Sequence, residues 1–231
     1  MKNVISFSLW GDNPLYTHGA IHNIKLANKL YPDWICRFYI DPDTTPTDIV
    51  QPIVDSGSEV IYRYNNRDTL GMMWRFEVMF DPDVDRFIIR DADSRIYYRE
   101  CVAVNEWISS GKAFHIMRDH QYHNIAICGG MWGGQTLHCM EYASIYNAII
   151  NDPRTSVSKG ADQEFLQRYL WQKVRHNMLC HDRAKNYSGC NGEELSFTIP
   201  LEDNLHVGCI VDPEETGESA YAKYIYIGDN I

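Results

Sequence analysis

Arg86-Phe87-Ile88-Ile89-Arg90 runs directly into Asp91-Ala92-Asp93, an apolar run that ends on two carboxylates one residue apart. A short, continuous apolar run bounded by turn residues reads as a strand covered on both faces, the kind found in parallel sheets. Upstream, residues 70–80 read as a helix whose exit is marked by Asp81-Pro82-Asp83. Before it lie an expected strand at 59–64, a short helix after Pro46 and a strand at 34–40. Ile21, Ile24, Leu26, Ala27 and Leu30 recur at helical spacing. Asn13 is placed to cap that helix, Pro14 to occupy its first position and Pro32 to stop it. The chain opens with an apolar strand at 4–9. Downstream come an expected helix at 99–109, a strand at 113–117, and helices at 141–150 and 162–171; beyond Lys173 the periodicity fades. This alternation predicts an α/β domain on a mostly parallel sheet, with the strand C-termini sharing one edge.

The 231 residues carry 21 Lys plus Arg against 31 Asp plus Glu, a net charge of −10. Hydrophobic residues are 45% and charged ones 23%, a composition able to bury a core. The acidic balance disfavours nucleic acid and anionic membrane as partners, since both need a cationic surface. No stretch approaches the roughly 18 to 20 apolar residues of a bilayer span, and the N-terminus lacks the apolar run of a signal peptide. The seven cysteines are odd in number and form no CxxC pair. They read as reduced thiols in a cytoplasmic, reducing compartment, without zinc spacing.

Asp91 and Asp93 are the leading candidates for chemistry. Hard carboxylate oxygens at a strand end suit Mg²⁺ or Mn²⁺, which bridge phosphate oxygens; the plain alternative is an acidic turn. Arg75, Arg90, Arg95 and Arg99 crowd the same neighbourhood and suggest a diphosphate site, or else ion pairs to the aspartates. Arg118, Asp119 and His120 are expected to emerge on the same edge. Cys128-Gly129-Gly130-Met131-Trp132-Gly133-Gly134 permits close backbone approach to a ligand, with the Trp132 ring available for stacking, or forms a turn before a helix. Asp162 stands at a helix start, where it serves as an N-cap or as a base for a hydroxyl. His206 is a candidate third metal ligand or a structural histidine.

The order of these features resembles the GT-A-fold, nucleotide-sugar-dependent glycosyltransferases, particularly small enzymes of the glycogenin-like and viral or bacterial polysaccharide type. The features are Ser8-Leu9-Trp10-Gly11, Arg75, Asp91-Ala92-Asp93, Gly129 to Gly133, Asp162-Gln163 and His206-Val207-Gly208. The resemblance implies one three-layer α/β/α domain over 1–231, with nucleotide binding in about 1–112 and acceptor binding and metal completion in about 113–231. It implies sugar transfer from a nucleotide-diphosphate sugar, UDP before GDP, to a glycan or other hydroxyl acceptor, with Mn²⁺ or Mg²⁺. It places the nucleotide at Phe7, Ser8, Leu9, Trp10, Arg63 and Arg75, and the metal at Asp91, Asp93 and His206. Asp162 becomes the catalytic carboxylate. Arg90, Arg118, Asp119, His120, Gly130, Met131 and Trp132 are expected around sugar and acceptor. The Lys-Pro-Trp that follows the late histidine in glycogenin-type enzymes is absent.

The rival readings are a sugar-nucleotide nucleotidyltransferase, a non-catalytic carbohydrate-binding protein on the same fold, and a dehalogenase-type phosphatase. The first lacks its N-terminal Gly-rich loop and lysine. The last needs its Asp-x-Asp on the first strand.

Overall fold

A computed structural model describes residues 1–64, 70–152, 160–183, 185, 187, 192–201, 205–214 and 216. Cys190 lies outside them. The strands are β1 (Lys2–Leu9), β2 (Trp34–Ile40), β3 (Glu59–Tyr62), β4 (Val84–Ile89), β5 (Phe114–Arg118), β6 (Trp132–Gln135), β7 (Met178–Asp182) and β8 (Glu193–Leu195). They form one sheet in the order β3-β2-β1-β4-β6-β5-β7-β8. Every pairing is parallel except those of β6, which runs antiparallel to both β4 and β5.

Side chains on successive residues of β4 point to opposite faces, so its apolar run feeds two cores. Phe87 and Ile89 join Val4, Phe114, Ile116 and Trp132 on one face. This layer is closed by α3 (Gly71–Trp74), α5 (Ala143–Asn151), α6 (Ala161–Phe165) and α7 (Trp171–Val174). Ile88 joins Ile5, Phe7, Leu9 and Phe38 on the other face, under α1 (Pro14–Leu30), α2 (Thr47–Asp55) and α4 (Tyr98–Ser110). The result is the expected three-layer arrangement. Asn13 caps α1 as expected, its Oδ1 accepting from the Leu15 N–H at 3.0 Å with Pro14 at the first helical position.

Three expectations need correction. The helix at 70–80 is α only over Gly71–Trp74 and tightens to a 3₁₀ helix over Arg75–Phe80. The helix at 162–171 is interrupted by a π-turn over Leu166–Leu170. The Gly-rich segment turns at Gly129 and Gly130, as expected, but from Trp132 it runs into a strand and not a helix: Trp132–Gln135 is β6, wedged between β4 and β5. A Cβ on Gly133 would stand 2.5 Å from the Phe87 carbonyl oxygen, so the missing side chain lets the strands approach. Trp132 is fully buried there, packed edge-on against Phe76 and Phe87. It is a core residue, unavailable for stacking on a sugar or base. Among the described residues, no helix is long and apolar enough to cross a membrane.

Candidate active site

The C-terminal edge of β1 and β4 holds the site. Ser6 and Ser8, two apart on β1, face the 3₁₀ helix and pin its first residue: Ser8 Oγ accepts from the Arg75 N–H at 2.9 Å, and Ser6 Oγ donates to the Arg75 carbonyl at 2.7 Å. The Arg75 side chain is thereby aimed along the strand ends. Its Nη1 pairs with Asp91, and its Nη2 donates to Asp162 Oδ2 at 2.8 Å. Burial alone would lower the Arg75 pKa, but the two carboxylates outweigh it and raise it. Its Nε is buried without a hydrogen-bond partner.

Gly129 and Gly130 close over this cluster. A Cβ on Gly129 would overlap Asp162, and one on Gly130 would overlap the Asp91 carboxylate. Asp162 is not the N-cap of α6; Gly160 holds that position, and the Asp162 carboxylate is committed to Arg75. Asp93, two residues beyond Asp91, is pushed up to about 6 by burial and then by the Asp91 charge, with Arg75 and Arg95 pulling the other way. The same two aspartates, after burial, raise the Tyr16 phenol. Tyr16 links the acid cluster to a cavity of about 340 Å³ lined by Ser8, Leu9, Trp10, Gly11, Asp12 and Asn13 as well. Tyr16 was missed in the sequence; the signal was an aromatic in the first turn of a helix that starts at a strand's C-terminal end.

The other expected residues fall elsewhere. Phe7 is core, stacked on Phe38 at 4.8 Å. Arg63 pairs with Glu77 and lines a different cavity from Ser8 to Trp10. Arg90 is buried against Glu100 at 2.8 Å, and Arg118 against Asp182 at 3.2 Å with the Ile125 and Ala126 carbonyls. Asp119 is buried, held by Arg99 at 2.6 Å and accepting from the Val207 N–H at 2.9 Å. These charges brace loops instead of reaching the edge, because a buried charge needs its counter-charge close by. Met131 is buried among Met117, Cys128 and Val207.

His206 stacks with His123 at 5.2 Å between ring centroids and lies 4.4 Å from the His120 ring. Among the described residues no three His, Cys, Asp or Glu form a metal-holding group, so the expected trio of Asp91, Asp93 and His206 is not assembled. The aspartate pair on its own still fits a hard cation. Mg²⁺-type ions bind through one or two carboxylates and take their remaining ligands from water and substrate phosphate.

No protein-family model matches the chain, and no curated protein matches it. Among solved structures, the chain is similar to the 4-diphosphocytidyl-2C-methyl-D-erythritol synthase from Anaerococcus prevotii. The TM-score is 0.51 at 9% identity, covering 97% of this chain and 98% of that one. It also resembles a glycosyltransferase involved in the glycosylation of the major capsid of PBCV-1, with a TM-score of 0.47, 11% identity and coverage of 79% and 82%. A cytidylyltransferase from Leptospira borgpetersenii gives 0.46 at 8%, covering 99% and 94%. At such identities the likeness is one of fold. The mixed α/β architecture with a mostly parallel central sheet is shared.

Proposed function

We propose that the chain is a glycosyltransferase that moves a sugar from a nucleotide-diphosphate sugar, UDP before GDP, to a hydroxyl acceptor. The observation that carries this reading is the Asp91–Arg75–Asp162 cluster with the buried Asp93, set beside the cavity at the end of β1. The nucleoside occupies that cavity, along Ser8, Leu9, Trp10 and Tyr16. Asp91 and Asp93 would hold a divalent ion, Mn²⁺ or Mg²⁺, which when bound supplies positive charge to the leaving diphosphate.

The remaining chemistry belongs to the chain's own groups. Arg75, with its spare Nε, gives a second positive charge to the same oxygens. Asp162, next to Arg75, is the carboxylate that takes the proton of the acceptor hydroxyl. In a single displacement the hydroxyl oxygen bonds to the anomeric carbon. The bond from that carbon to the diphosphate breaks, and its electron pair leaves with the nucleoside diphosphate.

The test is Mn²⁺-dependent hydrolysis of UDP- and GDP-sugars. Asp93→Ala should lose about 10²–10³-fold in rate, the scale of one electrostatic stabiliser. Asp162→Asn should lose about 10²–10⁴-fold in kcat while nucleotide binding persists. Equal, metal-independent rates in wild type and Asp93→Ala would overturn the reading. A second reading, cytidylyl transfer, draws on the near full-length likeness to the synthase. It predicts pyrophosphate release from CTP, against which stands a Trp10-Gly11-Asp12-Asn13-Pro14 loop with no basic residue.

A further inference from the structure

A second cavity, of about 470 Å³, opens beside the first. Trp74 lines it while Trp10 lines the nucleotide cavity, and the two indoles meet edge to face at 6.3 Å, forming a partition. Its volume lies within the range of small-ligand sites.

Among the described residues that line this cavity the charges cancel. Arg63 Nε donates to both oxygens of Glu77 at 3.1 Å, its Nη2 pairs with the same carboxylate, and its Nη1 donates to the Tyr62 carbonyl at 2.9 Å. Among the described lining residues an anionic ligand would therefore find no unmatched cation, and a nucleotide would lose the phosphate contacts on which its binding depends. What remains is a set of planar hydrogen-bonding groups beside aromatic walls. Asn147 and Asn151 sit one turn apart on α5, both exposed, and line the same cavity as the Arg63–Glu77 pair. The half-buried Phe80 supplies ring surface, Trp74 contributes only the sliver its 3% exposure leaves, and Tyr64 stands 65% exposed at the rim. Amide, carboxylate and guanidinium groups match vicinal hydroxyls in pairs, and aromatic surface suits the C–H faces of a pyranose ring.

We propose that this cavity binds a neutral oligosaccharide, separately from the nucleotide. Its use as the landing site of the acceptor rests on the glycosyltransferase reading; the binding itself does not.

The experiment is retention of the full chain on an immobilised array of neutral and acidic oligosaccharides, repeated with Asn147→Ala and Tyr64→Ala. Both side chains are exposed, so neither change disturbs the core. Wild type should retain at least one neutral oligosaccharide, and each variant should bind it about tenfold more weakly, the worth of one or two hydrogen bonds or a ring contact. UDP affinity, measured by calorimetry, should be the same in all three proteins. Retention of acidic glycans only, or of none, would overturn the proposal. So would equal retention by the variants, or a fall in their UDP affinity, which would make the cavity part of the nucleotide site. If wild type fails to bind UDP while neutral glycan binding responds to the variants, the transfer reading falls and this one stands.

Discussion

Gly130 shows how little space surrounds the acid cluster. Any side chain there displaces the Asp91 carboxylate. Gly130→Ala should therefore abolish Mn²⁺-dependent nucleotide binding in calorimetry at a stability cost of about 1–3 kcal/mol, the usual size of overpacking. Unchanged binding would show that Asp91 has no part in the site. Arg75→Met should cost more, about 3–5 kcal/mol in urea unfolding, because it strands the buried Asp162. Asp91 and Asp93 were legible in the sequence because an apolar strand delivers them to an edge. The Arg75–Asp162 pair was not, since a contact spanning 87 residues leaves no local trace. Arg90, Arg118 and Asp119 were misplaced for a related reason. Charges after a strand look alike whether they face a ligand or the partners that Glu100, Asp182 and Arg99 provide.

At the level of elements, β6 is the instructive case. Glycine is depleted in strands, so Trp132-Gly133-Gly134-Gln135 carries the wrong propensity for the strand it forms. Its glycines answer to a tertiary demand, the approach to the Phe87 carbonyl and the Phe114 ring. Gly133→Val should force β4 and β6 apart, and the variant should fail to give a cooperative urea transition. A wild-type midpoint would mean that the two strands are not packed as described. The 3₁₀ and π segments escaped for a different reason: their apolar spacing differs too little from 3.6 to separate them from α-helix. β1 through β4 were legible because each is a compact apolar run between turn residues.

For the whole molecule, buried and half-buried imidazoles set the response to acid. His123 is held down to about 4 by burial and then by His206 and His120. Burial first also lowers His206, His181 and His115. In the unfolded chain these groups take protons near pH 6.5. Between about 6.5 and 4 the unfolded state thus binds more protons, so their stabilisation is complete above that window and declines as pH falls through it. Asp93, raised to about 6, and Glu100, raised by burial, act in the opposite direction but are two groups against four. The melting temperature should fall on going from about pH 7 to about pH 5. A flat or rising profile would contradict histidines held neutral in the folded state.

The six described cysteines are all buried, and burial pushes Cys36, Cys101 and Cys128 up to about 12. Thiols so protonated are inert toward alkylating reagents. They are also well dispersed: Cys36 lies in β2, Cys101 in α4 and Cys180 in β7. With Cys190 substituted, the order in which iodoacetamide labels these positions becomes a map of local opening, read by mass spectrometry without adding a probe.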